Sequence, residues 1–377
     1  MFFIDSGAAN VLFPGSGFVI LARNIGYLNE LLLSALYETD DIIVDHTTYH
    51  IYTVALINFS NVMETYKIIF SGRLEFGNQK SFEKVYKLFL QRFENYYKSE
   101  VLLKGEEIFK EDSRSVDIPR FITQTNSDKA LQNTVNLLDY VAQYAVAGEM
   151  SIWKTDNGKV LQHSIIEPTT DKVAVQAYLT GRDLVKEVGR EVEAREALSI
   201  AIEKYERHAK AYERRGFVNY LLKNFEDAIY DYSKSINLYP TNPEPYFGRA
   251  LVNLSLNKWE ESLPDLDHAI SSSIPLQPIY WQSRRLKAEA LMELKQFEVA
   301  EKELKLFNAR PFTKDNPNFR YQKRANFIHG QALFALNKRE AAKAAFQKAL
   351  QIPGNHQISD EEIQAALQTV AGSVAAC

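Results

Sequence analysis

The chain of 377 residues contains a single cysteine, Cys377. One thiol cannot build an intrachain disulfide framework, so a reducing compartment is expected. As the last residue it does not make SVAAC a prenylation box, which needs its cysteine four from the end. Long apolar runs are also missing. The stretch YLNELLLSALY is cut by Asn29 and Glu30, and nothing reaches the roughly 18–20 apolar residues that a membrane helix needs. The opening MFFIDSGAANVLFPGSGFVILARN has no basic leader, so no signal peptide is expected. These absences point to a cytoplasmic protein, or to part of a particle assembled inside the cell. No long basic run is present and net charge is −4, which argues against a nucleic-acid partner.

Positive charge is scarce in one region. Residues 1–66 hold seven Asp/Glu against one basic residue, Arg23. Residues 1–172 carry 16 Lys/Arg and 22 Asp/Glu, net −6, while the remainder carries 28 and 26, net +2. A surface normally needs both signs for solubility. Either residues 1–66 form a buried sheet layer, or a partner or second copy covers them and they mediate self-association.

Catalytic constellations are missing as well. PGSGF at 14–18 lacks the Lys-Ser/Thr of a phosphate loop and reads as a tight turn. His46 and His50 fall in HTTYH, whose Thr and Tyr favour a strand. There, residues four apart lie ~13 Å from each other, too far for one ion. His163 has no carboxylate or cysteine near it in sequence, and Asp40-Asp41 and Glu106-Glu107 read as solvated loop charges. No catalytic residue, cofactor or metal site is expected.

What is present divides into two halves. In residues 1–172, IIVDHTTYHIYTVALI and LINFSNVMETYKIIFSGRLEFG have strand composition, the second with a Ser-Gly turn. SFEKVYKLFLQRFENYYKS sets Phe82, Val85, Tyr86, Phe89, Phe93 and Tyr96-Tyr97 at helical spacing, which predicts an amphipathic helix. NSDKALQNTVNLLDYVAQYAV predicts a second helix capped by Asn126 or Ser127. GEMSIWKTDNGKVLQHSII predicts a hairpin turning at Asp156-Asn157-Gly158. An α+β domain over 1–172 is expected, resembling no known family, with EPTTDK as a linker.

The second half repeats. Ser235-Ile236 recurs 34 residues away as Ala269-Ile270 and Ala201-Ile202, and Ala349-Leu350 falls near the end. Upstream of these pairs lie helices with a small residue where two helices must approach closely: Gly216, Ala250, Ala288 and Gly330. The fullest unit has Tyr212, Gly216, Ala228, Tyr232, Ser235 and Pro240; the next has Tyr246, Ala250, Ser262, Leu266, Ala269 and Pro275. A third keeps Ala288, Ala300 and Leu304 but has Phe307 where a small residue belongs, and a fourth keeps Gly330, Ala342, Phe346, Ala349 and Pro353. A degenerate first unit keeps Tyr178, Ala194, Leu198 and Ala201. Helical hairpins at this period resemble the tetratricopeptide repeat family, over about 175–354. The resemblance implies an all-α superhelix of four to five hairpins at 173–358. Residues 359–377, opened by the capping box Ser359/Glu362, should form a capping helix. Spacing stretches to 38 residues from Ala250 to Ala288 and 42 from Ala288 to Gly330, with the surplus in the turn-rich SSSIPLQP and NARPFTKDNPNF. Local irregularity is expected there.

In this family partners usually lie along the face made by the first helix of each hairpin. The resemblance places Lys210, Glu213, Phe217 and Tyr220 there, followed by Glu244, Phe247, Leu251 and Leu254. Gln282, Arg285 and Glu289 continue it, then Arg324, Phe327, Gln331 and Phe334. The aromatic residues read either as peptide or helix anchors or as fillers between helices. Glu213 stands where the family's chaperone-binding members use a cation, so a chaperone carboxylate clamp is not expected. The expected function is a non-enzymatic scaffold or adaptor that engages protein partners, a subunit of a larger assembly such as a phage virion or secretion machine. The alternative is a small-ligand sensor or enzyme in the N-terminal half, regulated by the repeats.

Overall fold

The computed structural model describes residues 3–5, 8–12, 19–22, 65–354 and 357–372. Contacts divide the chain into two compact units, Met1–Glu64 and Thr65–Cys377. In the first, β1 (Phe3–Asp5), β2 (Ala8–Leu12) and β3 (Val19–Ala22) form an antiparallel meander in which Phe3 pairs with Asn10 and Leu12 with Val19. The motifs at 14–18 and 40–50, and Cys377, lie outside the described residues.

The second unit opens with β4 (Tyr66–Glu75), α1 (Gln79–Gln91) and a π-helical turn at Arg92–Tyr96. Next come α2 (Gly105–Ile108), β5 (Phe109–Lys110), β6 (Ser115–Thr125) and α3 (Asp128–Ala142), then β7 (Ala147–Asp156) and β8 (Lys159–Ile166). The strands make one sheet in the order β5-β6-β4-β7-β8, antiparallel throughout. One face carries Ile68, Phe70, Leu74, Val116, Ile118, Met150 and Ile152, all buried beneath Phe82, Val85 and Phe89 of α1 and Leu137, Leu138 and Val141 of α3. Both helices are capped as their sequences demand: Asn78 accepts from Ser81 N–H, and Ser127 from Ala130 N–H. The β7–β8 turn has Asn157 and Gly158 at φ of 45° and 78°, the left-handed pair that a two-residue hairpin requires.

Ser71-Gly72 is not a turn. Strand β4 runs straight through it, which corrects the reading from composition. The pairs Phe70–Phe121 and Gly72–Ile118 leave Pro119 and Arg120 opposite the single Ser71. The irregularity is thus a bulge in β6, at a residue with no N–H to give. Gly72 has φ +147°, and a Cβ there would meet the Glu149 carbonyl oxygen at 2.3 Å. Glycine marks a close strand approach here, a role that the Ser-Gly pair alone does not distinguish from a turn.

Five helical hairpins follow: α4 (Val173–Leu184) with α5 (Glu191–Lys204), α6 (Ala209–Leu221) with α7 (Phe225–Leu238), and α8 (Pro243–Ser255) with α9 (Trp259–Ser272). Then come α10 (Pro278–Glu293) with α11 (Phe297–Ala309), and α12 (Gln322–Ala335) with α13 (Arg339–Gln351). Helix α14 (Asp360–Gly372) packs on α13, its Ser359 and Glu362 exchanging both hydrogen bonds of the capping box. The turns inside the last four hairpins place Lys223, Asn257, Lys295 and Asn337 at φ of 57–61°, the left-handed residue that ends a helix. Small residues sit where large rings press: Gly216 against Tyr232, and Gly330 against Phe346. Phe307, out of pattern in sequence, is fully buried beside Phe312 at 5.0 Å, a residue from the surplus loop.

A polar device repeats with the helices. Arg215 grips Asp231 through two nitrogens at 2.9 and 2.7 Å and reaches Ser199 at 3.1 Å. Thirty-four residues on, Arg249 grips Asp265 at 2.8 and 2.7 Å and reaches Ser233 at 2.9 Å. Each guanidinium therefore ties the second helix of its own hairpin to that of the preceding one, with the geometric specificity of a bidentate pair.

Candidate interaction surface

The second face of the five-stranded sheet meets the helical array. Its contacts fall at the ends of three successive second helices. Tyr205, just after α5, donates to Glu75 at 2.7 Å. Arg73, held by Asp117 at 2.6 Å, donates to the Leu238 carbonyl at the end of α7 and lies over the Tyr239 ring. Arg120 donates to the carbonyls of Ser271 and Ser273 at the end of α9, both at 3.1 Å. Two cations thus meet the negative ends of helices one repeat apart. Beside them Ile69 and Trp153 bury against Ile274, with Leu276 alongside. These two apolar residues come from SSSIPLQP, so the first surplus loop is the sheet's docking contact. The EPTTDK stretch is likewise tied down: Glu167 pairs with Arg182 at 2.5 Å, and Lys172 donates to the carbonyls of Tyr144 and Ala145.

Along the first helices, the structure gathers the expected groove residues into three groups. Lys210, Glu213 and Glu244 join a charge cluster. Lys210 lies 3.2 Å from Glu213 and 3.7 Å from Glu149 of β7, and Arg214 lies 3.4 Å from Glu213. Burial opposes charge on Lys210, yet Glu149 and Glu213 outweigh it and raise its pKa. Burial likewise opposes charge on Glu213, but Lys210 and Arg214 hold its pKa below the usual carboxylate value. Glu244 faces burial and then the Glu213 charge, both of which raise its pKa. Glu149 and Arg214 were not legible as members, because a strand supplies one and the other falls on no expected groove position.

The second group is apolar. Phe217 and Tyr220 are half-buried against the cluster of Ala228, Tyr232 and Val252, and the Tyr220 hydroxyl lies 3.2 Å from Ser255. Phe247, Leu251 and Leu254 are also half-buried on the next first helix. The third group is a chain of ion pairs. Arg285 is buried over the Tyr321 ring and pairs with Glu289 at 2.5 Å, which Arg324 approaches at 3.8 Å. Gln282 is half-buried and Gln331 exposed. Phe327 packs on Phe346 with ring centres 5.5 Å apart, and Phe334 lies against the same terminal cluster.

Elsewhere a cleft of about 450 Å³ opens at the π-helical turn, lined by Leu88, Gln91, Arg92, Asn95, Tyr96 and Tyr140. The Arg92 guanidinium lies 3.5 Å over the Tyr140 ring. Among the described residues no three His, Cys, Asp or Glu side chains gather as metal ligands would. No helix among them is long and apolar enough to cross a membrane.

Residues 209–242 and 323–356 each match a tetratricopeptide repeat family model, while the N-terminal region matches none. The helical part is a tetratricopeptide repeat array. Among solved structures, the chain is similar to MamA of Desulfovibrio magneticus RS-1 at 14% identity, covering 48% of this chain and 95% of that one with a TM-score of 0.41. It is similar to YrrB, titled a TPR protein with an unusual peptide-binding site, at 19% identity, 49% and 90% coverage and a TM-score of 0.40. It is similar also to PilF of Pseudomonas aeruginosa at 14% identity, 54% and 91% coverage and a TM-score of 0.42. No curated protein matches the sequence.

Proposed function

We propose that the protein is a non-enzymatic, cytoplasmic scaffold that holds an apolar peptide or helix against the first helices of its second and third hairpins. The carrying observation is the half-buried patch of Phe217, Tyr220, Phe247, Leu251 and Leu254. The charged positions beside it already pair with one another and with Glu149 of the sheet. An incoming carboxylate therefore meets no free cation at Lys210, and the apolar patch supplies the affinity. Peptides selected on the full chain from a random library should be rich in aromatic and aliphatic residues. Their binding should weaken tenfold or more in Phe247→Ala, about 1.4 kcal/mol, with the helical circular dichroism unchanged. Selected peptides that bind Phe247→Ala and the parent equally would refute this site.

A finer reading makes the chain a subunit of a larger assembly, such as a phage virion or secretion machine, with residues 1–66 as its contact surface. The support is their one basic residue among seven acidic ones. An apolar contact survives high salt, which shortens the Debye length to ~3 Å at 1 M. The full chain should therefore sediment as the same oligomer at low and high salt. A monomer in both conditions counts against assembly.

A further inference from the structure

The charges beside the apolar patch do not balance. Three carboxylates, Glu149, Glu213 and Glu244, stand with two cations, Lys210 and Arg214, which leaves one negative charge in excess. Both cations are engaged: Lys210 with Glu213 at 3.2 Å and Glu149 at 3.7 Å, and Arg214 with Glu213 at 3.4 Å. The Glu244 carboxylate takes part in no hydrogen bond or ion pair among the described residues, and the residue is half-buried. Burial and the Glu213 charge both oppose its ionised form, and Lys210 and Arg214 offset them only in part. Withdrawing a carboxylate from water without a partner is costly, and a cation placed beside it relieves that cost.

Glu244 also stands in register with the patch. Helices α6 and α8 pack on one another, and their groove positions correspond at 34 residues: Lys210 with Glu244, Glu213 with Phe247, Phe217 with Leu251 and Tyr220 with Leu254. Phe247 and Leu251 follow Glu244 by three and seven residues, which sets all three on one face of α8. An occupant of that face meets apolar side chains and, about one helical turn from them, a carboxylate without a counter-charge. Resting on the groove reading above, we propose that the partner is a cationic apolar peptide or helix, whose Lys or Arg head pairs with Glu244 while its methylene stem lies along Phe247. Long cationic side chains bury their stems on apolar surface and keep the head at a polar site, and a cation near a ring face gains further attraction. A partner that presents Asp or Glu at this place meets like charge and is rejected. The apolar patch supplies affinity, and charge complementarity at Glu244 selects the partner and fixes its register.

The probes are peptides selected on the full chain from a random library, each resynthesised with its Lys changed to norleucine or its Arg to citrulline. Both changes keep the stem and remove the charge. Calorimetric titration is run on the parent, Glu244→Gln and Phe247→Ala. The selected peptides should carry Lys or Arg beside their aromatic and aliphatic residues. Glu244→Gln should weaken the charged peptides about fivefold or more and leave the neutral ones unchanged, whereas Phe247→Ala should weaken both. Peptides that lose affinity on Phe247→Ala but bind Glu244→Gln like the parent would overturn this inference and leave the apolar site standing, as would a selection free of Lys and Arg. Equal losses of charged and neutral peptides on Glu244→Gln would make Glu244 a support of the helix, not a contact, and would overturn it too. Binding indifferent to both substitutions would overturn the site and the inference together.

Discussion

Replacing Tyr232 with alanine should destabilise the repeat array by about 3–5 kcal/mol, the usual range for removing a buried aromatic ring. Tyr232 is 2% exposed on α7. Its ring lies between Gly216 of its own hairpin and Gly248 of the next. One side chain therefore fills the space that joins two repeats, and stability in such arrays depends on each neighbouring interface. The two glycines should respond differently to alanine. At Gly216 a Cβ would meet the ring at 3.1 Å, which a small ring shift relieves. Mid-helix alanine is worth about 0.5–1 kcal/mol over glycine, so Gly216→Ala should be near neutral. At Gly248 the Cβ would fall 2.3 Å from two ring atoms and 2.7 Å from the hydroxyl. The ring is already packed, so Gly248→Ala should cost about 1–3 kcal/mol through overpacking. Leucine at Gly216, or at the fully buried Ala250, should cost a similar amount for the same reason. Chemical denaturation of the parent, Gly216→Ala, Gly248→Ala and Tyr232→Ala ranks them. A Gly248→Ala variant as stable as the parent would mean that the repeats do not meet at this ring.

The array was legible in sequence because each hairpin must solve the same packing problem. Gly216, Ala250, Ala288 and Gly330 recur at the helix crossings, and Ala228, Ser262, Ala300 and Ala342 recur in the second helices, since any larger side chain separates the pair. The α1 and α3 helices and the β7–β8 turn were legible for local reasons, namely apolar period, cap and Asn-Gly chemistry. What escaped was non-local. Strand β6 contains Pro119, and its register depends on a bulge that only the partner strand reveals. Gly72 looked like punctuation because a turn and a close strand approach both favour glycine. The surplus residues at 271–278 were visible as irregularity, but not as a docking loop, because Ile274 has meaning only opposite Ile69 and Trp153. The same holds for the charge cluster. Lys210 and Glu213 are readable as helix neighbours, whereas Glu149 arrives from a strand some sixty residues earlier.

Acid should weaken this protein through His208. The imidazole caps α6, its Nδ1 accepting from the Ala211 N–H at 3.2 Å. It is 1% exposed, packed beside the Tyr178 ring at 4.8 Å and the Tyr205 ring at 6.3 Å. Its Nε2 finds no hydrogen-bond partner among the described residues. Burial therefore favours the neutral ring and pushes the pKa down from 6.5 to about 3. The unfolded chain takes up this proton below about pH 6.5, while the folded chain resists it until about pH 3. Between those values the unfolded state binds more protons, so stability rises with pH and falls on acidification. The contribution is fully present above pH 6.5 and is lost at roughly 1.4 kcal/mol per pH unit below it, about 2.7 kcal/mol by pH 4.5. Glu75 and Glu244 act in the opposite sense, since burial raises both of their pKa values and favours their protonated forms in the folded chain. The difference between parent and variant isolates the histidine. His208→Asn keeps a good cap and removes the titrating group. The parent should therefore lose about 2.7 kcal/mol more than His208→Asn between pH 6.5 and 4.5, read from urea midpoints at each pH. Parallel pH profiles for the two proteins would show that His208 is accessible to protons in the folded chain, contrary to its packing against Tyr178.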